Sequence, residues 1–575
     1  MQPETPQPAP QRVAPWATAL LAILVLGYTA ALAAQAWTQG LSFDEPGHLA
    51  ASHAYWLGED DLKPPTTAPL SHVISGWVPL AYGIPLQRSA PRESYQDTYS
   101  IADRTFRPLS PQLARRVFFS ARLPFLIFPL GILWLVWRWG RQLFGWPVAL
   151  VLAAATTLEP TLLAHGPLIN SDVAAALGLL WVSYAAWRFW NNPLPRRLLQ
   201  LGVSLGVAIL TKFSVLLLIP FVLAVVAVRY GSQYRWRHMI AAVPLVAALC
   251  YLALIAGYQF DVYPTRSLEF QRLYAEKQFR PEEVALWMRL RLPMPLQFVD
   301  GLHFLYEQGL HHGQPGYMWG RPVDPPEPLY FPLALAVKYP IPLQALLLAS
   351  TVVLLFRLWK RQAGSADFFL WTPAVLLFAL ALNSRMLPGV RYVLPMFPLV
   401  ILAGGFVLQR LSHALWLRGL TTAGLLWLAF GTARVYPHGV AYFNEWAGGP
   451  DAGWRYLSDS NIDWGQDLPL LGEYVREHEI DKINLAYFGE DYVEHYFLPG
   501  QIEFMAHPFC LECIREHVLT PEPGVYAISV NLLLGYYWTP EYRDYFRRFR
   551  EREPDAKAGY SIFIYNWGND TAAGR

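Results

Sequence analysis

The chain has 575 residues, of which 54% are hydrophobic, 15% aromatic and only 15% charged, against roughly 25% charged in an ordinary soluble domain. With a mean hydropathy of +0.22 and a net charge of +2, a disordered chain, a collagen-like fibre, an ordinary cytosolic enzyme and a nucleic-acid partner are excluded. Three cysteines exclude a disulfide-built scaffold, leaving a polytopic α-helical membrane protein with extramembrane mass.

In chain order, residues 1–12 are rich in Pro and Gln and read as a disordered cytoplasmic tail. The run Val13–Trp37 carries no charge, and a bilayer core takes about 20 apolar residues. Ala34-Gln35-Ala36 offers a small-residue cleavage pattern, but the apolar run is longer than a usual signal core and reads as a retained anchor. Further apolar runs lie at 116–137, 147–164, 171–187, 198–211, 213–228, 239–258, 330–356, 368–383, 391–408 and 415–434. They predict eleven spans within a module covering 13–435. The short runs 198–211 and 213–228 are separated only by Thr211 and Lys212.

Lys and Arg set the orientation. Loops 138–146, 188–197, 229–238, 357–367 and 409–418 together hold thirteen Lys or Arg and a single acid, Asp367. This predicts an inner (plasma) membrane protein with a cytoplasmic N-terminus and a periplasmic C-terminus. The large pieces 38–115, 259–329 and 436–575 then all lie outside. In the last, Lys482–Phe488, Gly524–Val530 and Ser561–Trp567 read as strands, and Gln466–His478 and Glu541–Arg550 as helices, which predicts a small α/β domain. Trp287-Met288-Arg289-Leu290-Arg291 predicts either an interfacial amphipathic helix or a packing lid. No internal repeat suggests a transporter of inverted halves.

Ionisable groups at membrane depth are costly and mark sites by default. Asp44 and Glu45 follow the first span; Arg122 falls inside the second, Glu159 near the outer end of the third, Asp172 at the outer start of the fourth and Lys338 about two turns into the eighth, while Arg385 and Arg391 bracket the outer loop before the tenth. Each alone reads equally well as a salt bridge or a snorkelling side chain. Together, at one predicted interface, they suggest a site where an anionic lipid headgroup meets a carboxylate.

Several stretches resemble a known family. They are Phe43-Asp44-Glu45-Pro46-Gly47-His48-Leu49; Leu162-Leu163-Ala164-His165-Gly166 followed by Asn170-Ser171-Asp172-Val173; Tyr330-Phe331-Pro332 with Val337-Lys338-Tyr339-Pro340; Gly389-Val390-Arg391-Tyr392-Val393-Leu394-Pro395; Tyr442-Phe443-Asn444-Glu445; and Asp459–Asp467. In this order they resemble the GT-C membrane glycosyltransferases of the protein O-mannosyltransferase and aminoarabinose-transferase type (glycosyltransferase family 39 and its bacterial relatives). One departure stands out. Relatives often carry a His-Pro-Pro element after the Asp-Glu motif, where this chain has Thr67-Ala68-Pro69-Leu70-Ser71-His72; Lys63 or His72 are the substitutes at hand.

The resemblance implies a GT-C-like fold. It also implies transfer of a sugar from a polyprenyl-phosphate donor to an acceptor hydroxyl on a protein, lipid or glycan at the external face. Asp44 is the implied general base, with inversion. Lys338, Arg391 and Arg122 are implied at the lipid phosphate, with Lys63 and His72 beside them. Glu45 and Asp172 would orient acceptor or cations, or bind a divalent metal. The competing reading is a lipid or solute transporter, with Lys338 and Asp172 lining its path.

The spacing His507-x2-Cys510-x2-Cys513-x3-His517 suits a small zinc site, a Cys510–Cys513 disulfide in an oxidising compartment, or unpaired thiols. Asp459-x-Asn461-x-Asp463 has Leu470 where a calcium loop needs an acid and reads as structural. Cys250 reads as ordinary packing.

Overall fold

The computed structural model describes residues 13–59, 68–88, 98–231, 236–264, 293–310, 313–411, 415–506, 521–539 and 541–568. Lys63, the Trp287–Arg291 stretch and the His507, Cys510, Cys513, His517 group lie outside them.

Among the described residues, eight helical segments are long and apolar enough to cross a bilayer: Pro15–Thr38, Pro111–Phe144, Asp172–Asn191, Phe213–Gly231, Arg237–Gly257, Ile341–Trp359, Ser365–Leu382 and Leu394–Leu411. The expected number was eleven. The three remaining runs are helical too, but Trp146–Thr157 has 12 residues and Pro195–Ile209 has 15, short of what a bilayer core takes at 1.5 Å per residue. Leu415–Val435 has 21 residues but also carries Arg418 and Arg434 and is not among the eight. The expected run 330–356 is broken at Tyr339-Pro340 into Tyr330–Lys338 and Ile341–Trp359, because Pro removes a donor and biases the preceding residue out of the helical region.

Helix α1 (Pro15–Thr38) enters on a proline at its first turn and exposes Trp16, Ile23 and Leu26 along its length. After it the chain turns at once into α2 (Glu45–Leu57), which stops at Gly58 with φ of 74°, a left-handed end that favours glycine. Two helices that lead back toward the bundle follow, α3 (Thr98–Phe106) and α4 (Pro111–Arg122). Ser110 caps α4 by accepting from the Leu113 amide at 3.4 Å. The central helix is α5 (Asp172–Asn191), with fifteen of its residues buried. Small residues admit its neighbours: a Cβ on Gly178 would sit 3.1 Å from the Ala208 methyl. Helices α6 (Tyr330–Lys338) and α7 (Leu415–Val435) complete the elements that hold the site.

Beyond α7 the chain forms a small α/β unit. Helix α8 (Leu468–Glu477) precedes β1 (Ile483–Ala486), β2 (Ile502–Ala506), β3 (Gly524–Ser529), β4 (Ala556–Ala558) and β5 (Ile562–Trp567) in one sheet of order β2-β1-β3-β5-β4. The pairs β1·β2 and β1·β3 are parallel, whereas β3·β5 and β4·β5 are antiparallel. Three strands were expected and five are present among the described residues; the expected helix Glu541–Arg550 is helical over Arg547–Arg550. β1 is flanked on both sides by strands that follow it, so the connections switch direction at the carboxyl ends of β1 and β3. Phe488 and Ser529 meet at those ends, the Phe488 amide donating to Ser529 Oγ at 3.0 Å.

Candidate active site

The acidic loop between α1 and α2 splits its two carboxylates. Glu45, the first residue of α2, is fully buried. It receives Arg122 through two bonds, Nε to Oε1 at 2.8 Å and Nη2 to Oε2 at 2.6 Å. The amides of Ser42 and Ile169 donate to it at 2.8 and 3.1 Å. Burial alone would raise its pKa, but the Arg122 charge and these N–H donors hold it below the ordinary value. The remaining guanidinium protons of Arg122 go to the carbonyls of Ala36, Gln39 and Gly40. Glu45 and Arg122 thus spend themselves on each other and on the end of α1.

Asp44, one residue earlier, points the other way, and 24% of its side chain is exposed. Its Oδ1 accepts from the Tyr99 hydroxyl and its Oδ2 from Arg391 Nη1, both at 3.4 Å. Burial first, and then the Asp44 and Glu490 charges, push the Tyr99 phenol well above its usual range, so Tyr99 acts here as a donor. Arg391 also stands 3.7 Å from Asp172 Oδ2, and its guanidinium lies 4.3 Å above the Trp464 ring. Asp172, at the start of α5, binds Lys212 Nζ through its other oxygen at 2.5 Å. Lys212 in turn lies over the Tyr392 ring at 4.5 Å. Asp44, Arg391, Asp172 and Lys212 therefore form one alternating chain of charge, with Asp44, Arg391 and Lys212 each keeping a partly exposed side chain.

The α/β unit sets Arg391 in place. The amide of Val390 donates to Asn461 Oδ1 at 2.9 Å, and Ser460 Oγ donates to the Pro388 carbonyl. Gly389 between them has φ of 119°, and a Cβ there would meet Asn461 Nδ2 at 2.7 Å, so only glycine fits. Lys338, last in α6, is buried. Its Nζ donates to the carbonyls of Val440 (2.7 Å) and Asn461, so it supports the turn that holds Arg391. Asp459, in the same turn, has φ of 58°, an uncommon conformation for a non-glycine residue. Its carboxylate accepts from the Tyr537 hydroxyl. Burial raises its pKa, with the Arg391 charge opposing.

An aromatic cluster at the ends of β1 and β3 adjoins this charge chain. Phe488 lies 5.1 Å from Phe43 and 5.1 Å from Tyr537, and Phe43 lies 5.8 Å from Tyr99. Glu490, just past Phe488, is half-buried; burial first, then Asp103 and Asp44 with Arg107 opposing, push its carboxyl up to about 7.

Of the residues expected from sequence, the structure brings together Asp44, Asp172 and Arg391. Arg122 meets Glu45, and Lys338 meets backbone carbonyls. His72 sits in the helix Leu70–Ser75, 3.1 Å from Ser52 Oγ and stacked on Tyr55. Lys212, Tyr99, Glu490 and Trp464 come to the site from residues not expected there. Lys212 carried a signal, as one charge in the apolar stretch 198–228; Tyr99 and Glu490 carried none.

A divalent ion does not suit these groups. Among the described residues no three of His, Cys, Asp and Glu come together. Arg391 already bridges Asp44 and Asp172, and Lys212 takes the other oxygen of Asp172.

The chain is a multi-pass membrane protein whose loops and α/β unit converge on one charged site. Residues 106–257 match the family model described as dolichyl-phosphate-mannose-protein mannosyltransferase. That segment contains Arg122, Asp172 and Lys212, while Asp44 and Arg391 lie outside it. A comparison with curated proteins finds no match. Among solved structures, the chain is similar to ArnT from Cupriavidus metallidurans bound to undecaprenyl phosphate, at 12% identity over 96% of this chain and 97% of that one, with a TM-score of 0.48. It is also similar to the Archaeoglobus fulgidus oligosaccharyltransferase in the apo form, at 12% identity over 91% of this chain and 70% of that one, with a TM-score of 0.45.

Proposed function

We propose that the chain is a glycosyltransferase that moves a sugar from a polyprenyl-phosphate-linked donor to an acceptor hydroxyl, with Asp44 as general base and inversion at the anomeric carbon. The observation that carries this reading is the Asp44 carboxylate itself. It is partly exposed, tethered only by two 3.4 Å contacts, and heads a chain of two cations. In the step proposed, the acceptor O–H gives its proton to Asp44 as its oxygen attacks the anomeric carbon. The bond from that carbon to the donor phosphate oxygen breaks, and the phosphate leaves with the electron pair. Arg391 and Lys212 are the cations placed to stabilise that charge. Asp172 keeps the two cations apart and oriented, and Arg122 and Lys338 hold the loops that carry the reacting groups. No step runs through a metal.

The match over residues 106–257 supports the class of reaction. The positive loops of the sequence support an external site, with module 13–435 in the membrane and residues 436–575 as its external domain. Radiolabelled polyprenyl-phosphate sugar presented to membranes containing wild-type or Asp44→Asn protein tests the reading. Transfer should fall at least a thousandfold; full transfer by Asp44→Asn rules out the base assignment. Inversion is read from the anomeric configuration of the product, and orientation from reporter fusions placed in loop 138–146 and after residue 568.

A further inference from the structure

A cavity of about 340 Å³ lies away from Asp44, where the outer end of α1, helix α4 and the α/β unit meet. Its volume falls in the range of small-ligand sites. Trp37 and Phe119 form an edge-to-face pair at 5.1 Å on its wall. Trp37 is next to last in the apolar helix α1, and Phe119 lies on α4, whose chain runs on into the apolar helix Ile127–Phe144. Such aromatic pairs belong to the headgroup level of a membrane.

The charge of the lining is unequal once its own contacts are set aside. Asp491 spends its carboxylate on the amides of Leu41 and Tyr492 and on the Tyr496 hydroxyl, at 2.8–3.0 Å. Arg122 is spent on Glu45. Arg115 and Arg476 remain, both exposed, against the single carboxylate of Glu473. Arg115 is held over the Trp37 ring at 4.2 Å and donates through Nε and Nη2 to the Trp37 carbonyl. Its Nη1 makes neither of those bonds. His495 adds a third basic group to the lining.

We propose that this cavity binds the phosphodiester head of an anionic bilayer phospholipid, with Arg115 and Arg476 on the phosphate and the Trp37–Phe119 pair against the start of the acyl chains. The ligand would clamp the α/β unit to the membrane surface, because Arg476 belongs to α8 and Arg115 to α4. Asp44, Asp172, Lys212 and Arg391 contribute nothing to its lining.

Full-length protein is delipidated in detergent, offered phosphatidylglycerol, phosphatidylcholine, undecaprenyl phosphate or inorganic phosphate, and examined by native mass spectrometry. One phosphatidylglycerol should be retained per chain. Arg115→Gln and Arg476→Gln should each weaken it about fivefold, and together about thirtyfold; Arg116→Gln, exposed on the same helix but outside the cavity, should leave it unchanged. Unchanged melting temperatures show that each variant is folded. The proposal is overturned by equal retention of phosphatidylcholine, by retention in the double variant, by displacement with millimolar inorganic phosphate, or by retention of undecaprenyl phosphate alone.

Discussion

Lys212 reaches across 40 residues of sequence to Asp172, and their 2.5 Å contact makes Lys212 and Arg391 share one carboxylate. With one carboxylate oxygen held by Lys212, Asp172 offers Arg391 only the other, at 3.7 Å. The guanidinium is therefore shared with Asp44. Replacing Lys212 by Met should let Arg391 close on Asp172 and withdraw from Asp44. Transfer is expected to fall about a hundredfold in kcat, with Lys212→Arg recovering part of it, measured with lipid-linked donor in membranes.

The Glu45–Arg122 pair should behave in the opposite way, as a stability element. Both groups are buried, and breaking a buried pair from one side costs about 3–5 kcal/mol. Glu45→Gln should lower the melting temperature sharply in detergent. Glu45→Leu with Arg122→Leu should recover part of the loss, because no lone charge is then left inside. A melting temperature unchanged in Glu45→Gln would refute this.

Glu490 supplies a pH dependence. Its folded pKa of about 7 lies above the roughly 4.3 of a free glutamate, so the folded chain binds its proton more tightly than the unfolded chain does. Stability from this group is therefore full at low pH and declines as pH rises from about 4.3 to 7. Because Glu490 and Asp44 repel, transfer should also show an inflection near pH 7. Both features should vanish in Glu490→Gln, in melting curves and in the pH–rate profile.

His438 contributes in a neighbouring window. Burial lowers its pKa, but the Asp467 carboxylate, 3.4 Å away, outweighs this and raises it above the ordinary value of about 6.5. Its stabilisation is complete below pH 6.5 and is lost as pH rises through the raised value. Melting temperatures at pH 6 and pH 8 should differ less in His438→Phe than in wild type.

The sequence made the membrane helices legible because apolar length is a strong signal, and all eleven runs are largely helical even though eight segments among the described residues are long and apolar enough to cross a bilayer. Asp44, Asp172 and Arg391 stood out for the same reason: a charge at a helix end in an apolar chain has to be accounted for. That signal cannot separate a buried pair from an open site, which is why Arg122 and Lys338 looked no different from Arg391. Lys212 carried the same signal as the one charge between two short runs, but its partner Asp172 lies 40 residues away. Glu490 and Tyr99 depend on the sheet order and on the packing of the acidic loop, neither of which leaves a local pattern. Strand β4 is only Ala556–Ala558, a lysine between two alanines, a composition with little strand preference.

The clasp between Asn461 and the Gly389–Val390 backbone has a practical consequence for dissecting this protein. A chain truncated after α7 would keep its bilayer helices yet lose both the amide that fixes Val390 and the indole beneath the Arg391 guanidinium. Chimeras that graft a foreign C-terminal lobe onto these helices would inherit the same defect unless the donor lobe brings an asparagine and a tryptophan to matching positions.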